Sequence, residues 1–84
     1  MNYQVLVEKR IEKQISRIPH KDYVKIKEAI LSLAKNPRPF GFKKLSAREG
    51  YRMRVGDYRI IYQIEDRQFL VIILSVGNRK DIYN

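Results

Sequence analysis

Three arginines around one tight turn are the residues of this chain best suited to chemistry. Tyr51-Arg52-Met53-Arg54-Val55-Gly56-Asp57-Tyr58-Arg59 reads as two strands joined by the two-residue turn Gly56-Asp57, with Gly56 supplying the positive φ such a turn needs. Counting outward from the turn pairs Val55 with Tyr58, Arg54 with Arg59, and Met53 with Ile60. Side chains alternate along a strand, so Arg52, Arg54 and Arg59 share one face. Like charges directly opposite one another across a hairpin are destabilising. Arg54 against Arg59 therefore predicts a polyanion seated on both. A second stretch, Gly77-Asn78-Arg79-Lys80-Asp81-Ile82-Tyr83, follows one apolar strand.

The charge of the whole chain points the same way. Among 84 residues, 18 are Lys or Arg and 9 are Asp or Glu, a net charge of +9. The excess is spread over both halves, so it belongs to a folded body rather than a tail. Such a balance favours nucleic acid, an acidic protein or an anionic membrane surface. The longest apolar run, Phe69 to Leu74, is too short to span a bilayer, which argues against a membrane. No charged-then-apolar leader opens the chain, so a cytoplasmic protein is expected. There is no cysteine, which excludes disulfides and thiolate zinc sites. No carboxylates fall at metal-binding spacing, and no metal or cofactor is expected.

The elements that position these residues follow from periodicity. Residues 1–84 read as a single domain with one core and no linker or repeat. Tyr3 to Val7 is a first strand. From Glu8, apolar residues at Val7, Ile11, Ile15 and Ile18 mark one helical face, which Pro19 ends. A second helix begins near Lys21 or Asp22, buries Tyr23, Ile26, Ile30 and Leu33, and stops before Asn36-Pro37. Two prolines make Asn36 to Gly41 a loop. Strands are expected at Tyr51 to Val55, Tyr58 to Glu65 and Phe69 to Val76, the last two separated by a turn at Glu65-Asp66-Arg67. Phe69 to Val76 is apolar on both faces apart from Ser75, as in an interior strand. The predicted fold class is α+β: a small β-α-α-β-β-β domain with two N-terminal helices packed on one face of an antiparallel sheet. Met53, Val55, Ile60, Tyr62 and Ile64 would face the helices, and the three arginines the other side.

That element order, the segment Tyr51-Arg52-x-Arg54-Val55-Gly56-Asp57-Tyr58-Arg59-x-x-Tyr62 and the closing Val76-Gly77-x-Arg79-x-x-x-Tyr83 resemble RelE-type toxins of the RelE/ParE superfamily. The resemblance runs from Tyr3 to Tyr83 and is most specific in the C-terminal half. It implies a toxin of a bacterial or archaeal toxin–antitoxin system that cuts mRNA in the ribosomal A site. It also implies a cognate antitoxin, a toxin–antitoxin hetero-oligomer, and the ribosome and mRNA as partners. The catalytic positions it implies are Arg52, Arg54, Arg59, Arg79 and Tyr83. The ParE branch of the superfamily, which inhibits DNA gyrase by binding, is the alternative reading.

Chemistry supports the implied set in part. Metal-free RNA cleavage attacks phosphorus with the ribose 2′-hydroxyl, so the site must bind phosphate, stabilise charge and move two protons. Guanidinium groups do the first two well and the last poorly, since their pKa lies above about 12. A tyrosine, with a reference pKa near 10, serves as base if neighbouring guanidiniums lower it, which suits Tyr83. Some relatives carry Lys at the positions of Arg52 and Arg54, and others carry His at the position of Asn78. The one histidine, His20, falls between the helices and reads as a turn residue. Lys43, Lys44, Arg48 and Lys80 are candidate contacts to an RNA backbone, with ordinary solvated charge as the alternative for the first three. Lys9, Arg10, Lys13 and Arg17 lie on the polar side of the first helix.

Overall fold

The computed structural model describes residues 2–46 and 49–78. Strand β1 (Gln4–Val7) is followed by helix α1 (Lys9–Ser16), helix α2 (His20–Ser32), and strands β2 (Lys43–Lys44), β3 (Tyr51–Val55), β4 (Tyr58–Glu65) and β5 (Leu70–Asn78). The helices form where the sequence repeats apolar residues at three and four. Ile11 and Ile15 of α1, and Ile26 and Ile30 of α2, are buried. Pro19 separates the two helices and starts the second. It lacks an N–H, and its carbonyl accepts from the amides of Asp22 and Tyr23, both at 2.9 Å. That lets α2 begin at His20, slightly earlier than apolar spacing indicates.

The sheet order is β1-β5-β4-β3-β2. The expected layering holds, with both helices on one face of the sheet. Ile11, Ile15, Ile26, Ile30 and Leu33 pack with Ile60, Tyr62, Val71, Ile73 and Val76 in one core. Tyr51, Met53, Val55, Tyr58 and Ile64 pack against that core, half-buried. The predicted hairpin register is reproduced at each position: Val55 with Tyr58, Arg54 with Arg59, Met53 with Ile60. Gly56 occupies the left-handed region at φ 59°.

Three details differ from the sequence reading. The sheet is mixed, because β1 lies parallel to β5 while the other pairs are antiparallel. The α1–α2 pair is the crossover-sized segment that a parallel pairing needs, carrying the chain from β1 onto the meander. A fifth strand, β2, is only two residues long and carries no periodic signal. The last turn is a single 3₁₀ turn at Asp66–Gln68 with Phe69 left-handed at φ 51°, so β5 starts at Leu70.

A bulge in β5 adjusts the alternation. Ile61 pairs with Ser75 and Tyr62 with Ile73, leaving Leu74 as the extra residue. Ile73 and Val76, three apart, thereby both face the helices. Gln14 of α1 meets the strand there, its Oε1 accepting the Val76 amide at 3.1 Å. Among the described residues, no helix is long and apolar enough to cross a membrane.

Candidate functional site

The face of the sheet away from the helices carries two successive like-charge pairs. Arg54 stands opposite Arg59 across β3 and β4, and Lys43 stands opposite Arg52 across β2 and β3. Directly opposed side chains share a face, so strand pairing brings four cations together. Gly41, Lys43, Arg52, Met53, Arg54 and Arg59 line an open cavity of about 220 Å³. Among the described residues its lining contains no carboxylate. Arg59 is flanked on the far side by Gly77 of β5, which offers no side chain above it. The concavity therefore presents guanidinium and ammonium groups to a ligand, as binding of phosphate oxygens requires.

Local sequence explains each placement. The Gly56-Asp57 turn fixes the register that sets Arg54 against Arg59. The pleat then puts Arg52 on the same side. Lys43 joins through β2, whose chain is held at the far end by the Leu45 amide donating to the Gly50 carbonyl at 3.0 Å. Gly50 has φ 135°, and a Cβ there would come within 3.2 Å of Leu45 Cδ1 and of the Tyr62 carbonyl oxygen. The positive φ and these close approaches both favour glycine where the chain enters β3. Leu45 and Ile61 are buried outside the main core.

The loop before β2 forms one wall of the cavity and is anchored from several sides. The Arg38 guanidinium donates two hydrogen bonds to Asp66, to Oδ1 at 3.1 Å and Oδ2 at 2.8 Å. Asp66 Oδ1 also accepts from the Tyr3 hydroxyl at 2.6 Å. These bonds hold the Asp66 carboxyl down at about 2, with Arg38 the larger influence and Tyr3 the next. The same contacts raise the Arg38 and Tyr3 pKa values. Beneath them the buried Tyr62 hydroxyl donates to the Pro37 carbonyl at 2.9 Å. Burial pushes its pKa up to about 12. Phe42 packs against Tyr51 with ring centroids 5.5 Å apart.

The candidates named from sequence thus divide into three groups. Arg52, Arg54, Arg59 and Lys43 converge on one cavity. Lys44 lies opposite Tyr51, whose side chain packs on the helix side, so it is not part of the lining. Arg48, Arg79, Lys80 and Tyr83 lie outside the described residues. Local sequence marks Asp66 only as a turn residue. Its role as anchor depends on Arg38, 28 residues away, a link that no local spacing signals. Among the described residues, no group of three or more His, Cys, Asp or Glu is placed to hold a metal.

The sequence and the fold both recur in known proteins. A curated Methanocaldococcus jannaschii protein named as a RelE1 toxin is 32% identical over 87 aligned positions, covering 99% of this chain and 97% of that protein. The RelE–RelB complex of Pyrococcus horikoshii contains a chain that superposes with a TM-score of 0.84 at 30% identity, covering 98% of this chain and all of that one. A chain of the Mycobacterium tuberculosis RelBE2 toxin–antitoxin complex gives a TM-score of 0.81 at 26% identity, covering 94% and 100%. Residues 2–83 match the family described as the ParE toxin of the type II toxin–antitoxin system parDE. With its fold and nearly its whole length in agreement, the chain belongs to the RelE/ParE superfamily of type II toxin–antitoxin toxins.

Proposed function

We propose that this protein is a ribosome-dependent endoribonuclease that cuts mRNA in the A site, without a metal, and is neutralised by a cognate antitoxin in a hetero-oligomer. One observation carries the reading: two adjacent cross-strand pairs of like charge, Arg54 with Arg59 and Lys43 with Arg52, line one open cavity. Such pairs oppose folding, and a bound phosphate relieves both at once. The relatives support the partner, since the P. horikoshii structure is a RelE–RelB complex and the M. tuberculosis structure a toxin–antitoxin complex. Cytoplasmic action follows from an mRNA target.

In this mechanism Arg52, Arg54 and Arg59 hold the scissile phosphate and stabilise the charge that grows on its non-bridging oxygens. The 2′-oxygen attacks phosphorus and the bond to the 5′-oxygen breaks, leaving a 2′,3′-cyclic phosphate and a free 5′-hydroxyl. One proton leaves the 2′-hydroxyl, for which Tyr83 is the proposed base. One is delivered to the 5′-oxygen, where Arg79 is the proposed source of charge and proton. The ribosome contributes by fixing the mRNA in line for attack, which removes part of the entropic barrier. Lys43, Arg48 and Lys80 are proposed as contacts to the flanking backbone, whereas Lys44 lies on the helix side.

The matched family is described as ParE toxins, and resemblance to that branch implies binding to DNA gyrase, which is the second reading. Mapping of 5′ ends separates the two. An mRNA is incubated with the purified protein on programmed ribosomes with a vacant A site, and in parallel without ribosomes. Cuts within the A-site codon that need ribosomes and disappear in Arg54→Ala are the expected result. Intact mRNA in both reactions, with supercoiling by gyrase blocked, would replace the nuclease reading by the second. Cuts in free RNA alone would leave a nuclease that acts without the ribosome.

A further inference from the structure

Phe40 is the one phenylalanine among the described residues that the fold does not use. Phe42 packs on Tyr51, and Phe69 meets the Tyr3 ring edge-on at 5.5 Å. Phe40 is fully exposed. Its loop is nonetheless firmly built. The Phe42 amide donates to the Pro39 carbonyl at 3.0 Å, closing a turn in which Phe40 is second and Gly41 third. Gly41 has φ 90°, the conformation a type II turn demands at that place. On the N-terminal side Arg38 is clamped bidentately to Asp66 and its amide donates to Asn36 Oδ1 at 3.1 Å. On the C-terminal side Phe42 is seated on Tyr51. An aromatic ring is thus presented to solvent at the tip of an anchored turn.

Its neighbour Gly41 lines the cavity that holds Lys43, Arg52, Arg54 and Arg59. A phosphate in that cavity leaves the attached nucleotide's base to find a surface close by. Unpaired bases stack on exposed aromatic side chains beside cationic grooves, the general mode of single-strand recognition. A protein partner fits less well, because docking surfaces present contiguous apolar patches. Phe40 instead stands between the exposed Arg38 and Gly41 on a loop leading to Lys43. We propose that Phe40 is a stacking platform for one unpaired nucleobase of the RNA whose phosphate occupies the arginine cavity. The inference rests on the RNA-directed function above and adds the subsite that reads the base.

The test is a cycle between the ring and the base. Binding of labelled wild type, Phe40→Ala and Phe40→Trp is measured on programmed ribosomes with a vacant A site and a 2′-O-methylated mRNA that resists cleavage. The same mRNA is made with an abasic nucleotide at each A-site position in turn, and all are also measured as free RNA. Phe40→Ala is expected to bind about 5- to 150-fold more weakly, the range for losing one base–aromatic stack. Phe40→Trp should bind as well as wild type or better. At one position the abasic mRNA should weaken wild type equally and leave Phe40→Ala with no further loss. The salt slope of binding should be unchanged in Phe40→Ala, since no phosphate contact is removed. Equal binding by Phe40→Ala and wild type, or losses that compound at every abasic position, would overturn the stacking role alone. Wild type that binds RNA in neither setting would remove the proposed function along with it. Weakened antitoxin binding with unchanged RNA binding would assign Phe40 to the antitoxin interface and equally overturn the proposal.

Discussion

At the scale of single residues, the arginine face sets stability against function. Arg54 is exposed and faces Arg59 directly, so removing its charge relieves a cross-strand repulsion that a bound anion also relieves. Arg54→Thr keeps strand propensity and should raise stability by about 0.2–1 kcal/mol in the free protein, while abolishing A-site cutting. Thermal melts read it as a rise of up to several degrees. A lower melting temperature would mean that the guanidinium packs favourably and that the repulsion argument is wrong. This part of the site was legible in the sequence, because a tight turn and strict alternation determine which side chains meet. Lys43 was legible only as a charge, since a two-residue strand has no pattern that assigns it a face. Phe40 could not be singled out, because exposure belongs to the folded loop rather than to the residue type.

At the scale of elements, the loop between α2 and β2 is held by groups remote in sequence, and its bonds give pH signatures at both extremes. The folded Asp66 carboxyl titrates at about 2, below its ordinary value of 3.8, so its contribution is complete above pH ~4 and lost as pH falls through about 2. A urea midpoint for Asp66→Asn should lie below wild type at pH 7, and the gap should close between pH 4 and 2. A gap that persists at pH 2 would remove the carboxylate as its cause. Tyr62 behaves in the opposite sense. Its folded pKa of about 12 stands above the ordinary 10, so its contribution is complete below pH 10 and lost as pH rises through about 12. Tyr62→Phe leaves the Pro37 carbonyl without its donor and should cost about 1–3 kcal/mol by denaturant unfolding at pH 7. The variant should also show a flatter alkaline limb. Helix faces and the meander were readable from periods of 3.6 and 2. The parallel seat of β1, the Leu74 bulge and the Arg38–Asp66 bond were not, since each joins segments whose local sequence is satisfied either way.

At the scale of the whole molecule, +9 charges in a body of 34 × 25 × 24 Å must repel one another. Among the described residues, Arg38 with Asp66 and the looser Glu8 with Arg10 at 3.8 Å are exposed ion pairs that offset this. Exposed pairs contribute little, so screening should relieve more repulsion than it removes attraction. Folding and RNA binding should therefore respond to salt with opposite signs. Raising potassium chloride from about 0.1 to about 1 M, which shortens the screening length from about 10 to about 3 Å, should raise the melting temperature of the free toxin. Over the same range its affinity for single-stranded RNA should fall, with a logarithmic slope of about −1.4 if the three arginines neutralise one phosphate and Lys43 a second. Arg54→Thr joins the two effects, since it should reduce both the salt-dependent stabilisation and the binding slope. Chloride is the right anion, because phosphate or sulfate would occupy the cavity and stabilise by binding. A melting temperature that falls with chloride would mean that attraction outweighs repulsion in the folded chain. The basic face would then be stable without a polyanion, and its like-charge pairs would no longer argue for one.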